Sequence, residues 1–272
     1  VSNSPVLIDS HCHFDFPVFD ADRAAVWAAA NANGVSQMII PGVAPEQWST
    51  AAQVSREFPG IFRAAGIHPW WVKGLLSGDD SQARVDELRE ALRRELVTGS
   101  CVALGECGLD KLKEVNLEQQ QRLFAMQVEL ASELELPLII HCCKAHNEVI
   151  ALLRRHRLPA GGVIHAFSGS TQIAKTYVEL GFRLGIGGTI TYERARKTRQ
   201  AVANVPLTAL LLESDAPDMP LCGRQGERNS PQYLPDIAQV LAQLRGQPLE
   251  EIILQTSDNS RRLFNLPQEV LL

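Results

Sequence analysis

Short apolar runs alternate with longer stretches of helical periodicity along the whole chain. The runs at 6–9 (VLID), 37–42 (QMIIPG), 62–67 (FRAAGI), 101–106 (CVALGE), 137–141 (PLIIH), 162–167 (GVIHAF), 182–187 (FRLGIG) and 209–215 (ALLLESD) are predicted strands. Between them, Val85, Leu88, Leu92 and Leu96 recur at steps of three and four, as do Leu123, Met126, Leu130 and Leu134, which predicts amphipathic helices. Asn116, with Gln119 three residues on, is the expected start of the second of these. Near-continuous apolar strands belong to a parallel sheet covered on both faces, and eight strand–helix units can close into a barrel. The expected fold is therefore α/β, a (β/α)8 TIM barrel. No Pro/Gly/Ser-rich linker or repeat divides the chain, so residues 1–272 are read as a single domain, with further C-terminal helices from about residue 236.

In such a barrel the active site lies at the C-terminal ends of the strands. The residues that terminate the apolar runs are His11 and His13, His68, Glu106, His141, His165 and Asp215. Five of the seven histidines thus sit at strand ends, leaving His146 near the fifth connection and His156 in a helical run. Each of these residues alone has a structural account: Asp215 can cap a helix, and His141 can bond a backbone carbonyl. Together at one barrel mouth they would be costly to bury without a cation. Mixed nitrogen and oxygen donors suit zinc, manganese, iron, cobalt or nickel better than calcium, and with magnesium these are the candidate divalent ions. The set also exceeds one tetrahedral shell. Two metal ions use it better, with Glu106 bridging, His11, His13 and Asp215 on one ion, and His141 and His165 on the other.

Composition narrows the partners. With 45% hydrophobic and 21% charged residues this is an ordinary globular chain. Its formal charge of −5 means that a polyanion must be gripped locally rather than coated. The six cysteines show no Cys-x-x-Cys spacing and lie mostly in apolar runs, as small hydrophobes of a reducing compartment do. No membrane span, signal segment or obligate protein partner is evident, so a cytoplasmic location is expected.

Taken in order, DSHCHFD, GIHPW, ALGECGLD, PLIIHCCKAHNEV, VIHAFSGS and LLLESDAPDMPL resemble the TatD-type metal-dependent hydrolases, and GIGGTITYERARKTR is similar to their YjjV-like branch. The resemblance covers nearly the whole chain. It implies a divalent-metal deoxyribonuclease acting on DNA, several family members working from the 3′ end. It also implies His11, His13, Glu106, His141, His165 and Asp215 as ligands, with His68 beside the substrate phosphate; Asp215, Glu106 and His68 are the expected catalytic residues. Two departures stand out. Cys142, Cys143 and Lys144 follow the fifth-strand histidine where relatives often carry Ser-Arg, and Lys111 replaces an aromatic residue after Gly-Leu-Asp.

The expected chemistry is metal-assisted phosphodiester hydrolysis, with Asp215 handling the proton of the attacking water. Lys144 and the cluster Arg194, Arg196, Lys197 and Arg199 are candidate phosphate grips, Arg224 and Arg228 lesser ones. Trp70 and Trp71 are either a base-stacking pair or a packed lid. The rival enzyme is a hydrolase of a small amide, lactone or ester, including an aminoacyl ester, and the rival outside catalysis is a metal-stabilised binding scaffold.

Overall fold

The computed structural model describes residues 6–98, 100–113 and 116–268, so the ends of the expected 1–272 domain lie outside the described residues. All eight expected strands form: β1 (Leu7–Asp9), β2 (Val35–Ile40), β3 (Ile61–Arg63), β4 (Leu104–Asp110), β5 (Leu138–Cys143), β6 (Gly162–Ile164), β7 (Phe182–Ile186) and β8 (Leu210–Leu212). Every pairing is parallel and joins strands consecutive in sequence. The β1–β3 and β4–β8 sheets meet at a parallel bridge between Ala65 and Leu104. The ring closes where Ser10 N–H donates to Leu212 O at 3.0 Å. This is the (β/α)8 barrel.

Around it run α1 (Arg23–Ala32), α2 (Pro45–Glu57), α3 (Val72–Leu75), α4 (Gln82–Thr98), α5 (Leu117–Leu134), α6 (His146–Leu153), α7 (Thr171–Glu179), α8 (Arg196–Asn204), α9 (Leu234–Arg245) and α10 (Leu249–Phe264). The expected stripe of α4 is buried at Val85, Leu88, Leu92 and Leu96. Asn116 caps α5, its side-chain oxygen accepting from Glu118 N and Gln119 N. His156, expected within a helix, follows the end of α6 instead. The two C-terminal helices begin at Leu234, two residues before the expected boundary.

Two apolar layers hold the barrel. One lies between strands and helices; the other fills the barrel interior with Ile8, Ile39, Ala64, Ile139, Val163 and Leu211. Leu263, Phe264 and Leu266, at and just beyond the end of α10, join that inner layer and plug its N-terminal end. The plug is anchored through Asn259, whose Nδ2 donates to Leu207 O and Leu210 O at 2.9 and 2.8 Å. Strand lengths depart from expectation at the opposite end. β3, β6 and β8 end at Arg63, Ile164 and Leu212, and His68, His165 and Asp215 beyond them line a cavity, whereas β4 runs on four residues beyond Glu106 to Asp110.

Candidate metal centre

The strand-end residues converge on this open end of the barrel. Along β5, β6 and β8 the inward-facing step of two residues passes from Ile139 to His141, from Val163 to His165, and from Leu211 to Glu213 and on to Asp215. β4 can approach β5 closely enough to place Glu106 because Gly108, at φ +138°, carries no side chain; a Cβ there would collide with His141 O. Gly185 in β7 leaves the space that the Glu213 carboxylate occupies.

Glu106 sits at the middle, almost fully buried, and its two oxygens face different partners. Oε2 lies 3.2 Å from His11 Nε2 and 3.6 Å from His13 Nε2, with Asp215 Oδ1 3.7 Å from both nitrogens. Oε1 lies 2.9 Å from His141 Nδ1, 3.4 Å from His68 Nε2 and 3.8 Å from His165 Nε2. All seven expected residues are thus brought together. Three groups among the described residues have metal-ligand spacing: His11, His13 and Asp215; His68, Glu106 and His141; and His11, His165 and Glu213.

Outer contacts aim these rings. His165 Nδ1 faces Glu213 Oε1 at 2.9 Å, which leaves Nε2 toward the cavity, 3.6 Å from Asp215 Oδ1. His141 turns the other way: Asp110 Oδ2 takes its Nε2 at 3.2 Å, so Nδ1 points inward. His68 Nδ1 accepts from the Trp70 backbone N–H at 3.2 Å, so a neutral His68 carries its proton on Nε2, aimed at the cavity. Asp9 ties the barrel seam beneath the site, accepting from His11 N at 3.2 Å and Ser214 N at 2.9 Å.

Electrostatics divides the histidines. Burial pushes His11 well below the ordinary imidazole range and His13 down to about 4, leaving neutral rings with free lone pairs. Burial also opposes charge on His141 and His165, but the Asp110 and Glu106 hydrogen bonds lift His141 to about 9, and the Glu213, Asp215 and Glu106 charges lift His165 to about 10. Burial raises Asp215 to about 8, against the opposing pull of His165. For Glu106 burial again acts upward, yet the imidazoles of His68, His11 and His165 crowded around it outweigh burial and hold the carboxyl well below its ordinary range.

The donor set fits a metal. Glu106 Oε2 is buried without a hydrogen-bond donor among the described residues, while the His11 and His13 Nε2 atoms converge on it 3.4 Å apart. Two lone-pair nitrogens and two carboxylate oxygens in so small a space suit a shared cation rather than hydrogen bonds to one another.

A cavity of about 530 Å³ opens over the centre, with Trp70, Trp71, Lys113 and Met219 on its walls. Neither Lys144 nor Arg194, Arg196 and Lys197 is among its lining residues; all four are exposed, and Arg194 lies over the Tyr192 ring. Arg199 is engaged by Ile190 O and Arg228 by Asp22, which accounts for both structurally. Lys111 pairs with Glu148 at 2.6 Å. Sequence reasoning missed Asp110, Glu213 and Lys113, and noted Asp9 only as a neighbour of the first two histidines. For the first two a signal existed: Asp110 lies four residues past Glu106 and Glu213 two before Asp215, on the same strand faces.

A parallel eight-stranded barrel carrying buried histidines and carboxylates at its C-terminal end defines a metal-dependent hydrolase. The chain belongs to the TatD related DNase family, whose profile matches residues 8–265. It is 41% identical over 262 residues to the uncharacterized metal-dependent hydrolase YjjV of Escherichia coli K12, an alignment covering 96% of this chain and 98% of that protein. The crystal structure of Escherichia coli YjjV superposes with a TM-score of 0.87 over the same shares of the two chains. The 3′-5′ ssDNA/RNA exonuclease TatD of Cronobacter sakazakii is 36% identical over 254 residues, covering 90% of this chain and 93% of its own. The phosphotriesterase homology protein of Escherichia coli, 16% identical with a TM-score of 0.71 over 96% of this chain and 99% of that one, shares the fold. Among the described residues no helix is long and apolar enough to cross a membrane.

Proposed function

We propose that the chain hydrolyses phosphodiester bonds of DNA at a centre of two divalent metal ions, removing nucleotides from a 3′ end. The observation that carries this reading is the division of the imidazoles between the two oxygens of Glu106. His11, His13 and Asp215 would hold one ion, His141 and His165 the other, and Glu106 stands between the two sets. The substrate is supported by the similarity to the Cronobacter sakazakii exonuclease.

Bound ions supply positive charge that acidifies the attacking water and offsets the charge developing on phosphorus. The protein's own groups do the rest. Asp215 accepts a proton from the water, whose oxygen forms the new bond to phosphorus as the P–O3′ bond breaks. A 5′-mononucleotide leaves, and the O3′ freed from phosphorus takes up the proton that Asp215 accepted, so the strand ends in a new 3′-hydroxyl and Asp215 is again a carboxylate. The Nε2–H of His68 donates to a non-bridging phosphate oxygen. Asp110 and Glu213 hold His141 and His165 in ligating orientation. Arg194, Arg196 and Lys197, outside the cavity lining, serve the trailing strand, as does Lys144.

A second reading, hydrolysis of a small amide, lactone or ester, is favoured by one observation: Lys113 is the only lysine or arginine among the described residues lining the cavity. One experiment separates the two. Wild type and Glu106→Ala are incubated with end-labelled single- and double-stranded DNA, with and without manganese or magnesium. Stepwise shortening that needs metal and is lost in the variant supports the nuclease; intact DNA alongside turnover of an ester or lactone supports the second reading.

A further inference from the structure

We propose that Trp70, Trp71 and Lys113 form the subsite for the terminal nucleotide of the substrate, an indole face stacking on an unpaired base and the ammonium holding its phosphate. This assignment rests on the phosphodiesterase reading above and makes the substrate a single-stranded end rather than a duplex.

Exposure is the first support. Seven large hydrophobic residues are exposed among those described, and four of them, Trp70, Trp71, Leu112 and Met219, line the one cavity that holds the histidines and Glu106. Scattered exposed hydrophobes need no explanation, but a cluster on the wall of a polar site marks the apolar part of a ligand. The packed-lid alternative does not hold, because Trp70 and Trp71 are 44% and 37% exposed.

The second support is rigidity. The two indoles lie nearly parallel, 13° apart with centroids separated by 6.5 Å. Trp70 Nε1–H donates to Asp110 Oδ2 at 2.7 Å, and the same oxygen faces His141 Nε2. One carboxylate therefore sets both the aromatic wall and an imidazole of the centre. Trp71 in turn packs edge-on against His68, with centroids 5.5 Å apart. A base stacked on Trp71 would therefore lie next to His68, the group that the proposed chemistry sets against the phosphate.

Charge is the third. Lys113 Nζ lies over the Trp70 ring, 4.1 Å from its centroid. This cation–π contact covers one face of that indole, sets a positive charge against the aromatic wall and leaves Trp71 as the platform for a base. A flat ring and an anion presented side by side are the chemistry of a nucleotide, whereas a neutral aryl ester needs only the first. A blunt duplex exposes only the outer face of its terminal pair and holds that base in pairing, whereas a frayed or single-stranded end presents the base free to enter the cavity and stack.

The test uses metal-loaded protein and three probes: a short single-stranded oligonucleotide, the same strand with an abasic 3′ nucleotide, and a blunt duplex. Affinity is read from tryptophan fluorescence, and cleavage is followed separately on gels. Wild type should bind the normal strand roughly tenfold or more tighter than the abasic strand or the duplex. Trp71→Ala should bind normal and abasic strands equally weakly, and Trp71→Phe should recover the preference. Lys113→Gln should weaken both strands by one common factor. Equal affinity of wild type for normal and abasic strands, or a preference that survives in Trp71→Ala, overturns the subsite. Cleavage without any base preference overturns the subsite and leaves the phosphodiesterase reading standing. Base-dependent binding with no cleavage under either metal does the reverse.

Discussion

The two ends of the barrel are built by the same strands and could hardly differ more. At the N-terminal end Ile8, Ile139, Val163 and Leu211 fill the interior and Phe264 closes it. Two to four residues further along, at or just past the ends of these strands, stand His11, His141, His165 and Asp215, and at least one buried oxygen there has no donor among the described residues. Hydrocarbon contacts at one end supply stability without chemistry. Polar groups at the other are held in place at a cost that the packed end offsets, and a cation would relieve it. The lesson is that stability and activity are separable along one strand.

That separation can be broken in order of expected effect. Glu106→Ala removes the group facing both sets of imidazoles. It should lower metal affinity by more than the roughly 100-fold ceiling typical of outer contacts, and abolish hydrolysis, as read by metal analysis and gel assay. The plug end should respond in the opposite manner. Phe264→Ala is expected to cost about 3–5 kcal/mol in denaturant unfolding while kcat per folded molecule stays near wild type. If Phe264→Ala loses activity without losing stability, the two ends are not independent.

Smaller changes sharpen the picture at the active end. Glu213→Gln and Asp110→Asn should each weaken metal binding by about 10–100-fold through disordered His165 and His141 rings. Metal uptake should also release protons. Without metal, His141 at about 9, His165 at about 10 and Asp215 at about 8 all hold protons at neutral pH, and each must give one up to bind a cation. Affinity therefore rises with pH through this range and falls as pH drops, and calorimetry in two buffers of different ionisation enthalpy reads the protons directly. The smallest effect is expected outside the cavity. Neutralising Arg194, Arg196 and Lys197 together should flatten the salt dependence on long strands and leave a dinucleotide substrate unaffected.

Much of this was legible in the chain itself. The eight apolar runs and the histidine or carboxylate that ends most of them report local periodicity, and a strand puts alternate side chains on one face whatever surrounds it. His11 and His13 could therefore be read as a pair before any fold was known. Glu106 could be chosen as the shared carboxylate because it stood on a central strand. The length of β4 could not, since its polar, glycine-rich end pairs with β5 only because Gly108 admits the close approach.

What only the tertiary structure decided is every relation between distant parts of the chain. Asp110 faces His141 across β4 and β5, and Glu213 faces His165 across a space left by Gly185. Lys113, which carried no signal, reaches the cavity wall, while the conspicuous basic run after β7 does not line it. The sequence by itself determined the barrel and the residues at its mouth, because hydrophobic patterning and strand geometry are local properties. Which nitrogen faces which oxygen, and which cation reaches the substrate, depend on how strands far apart in sequence close into a ring, and no local pattern encodes those distances.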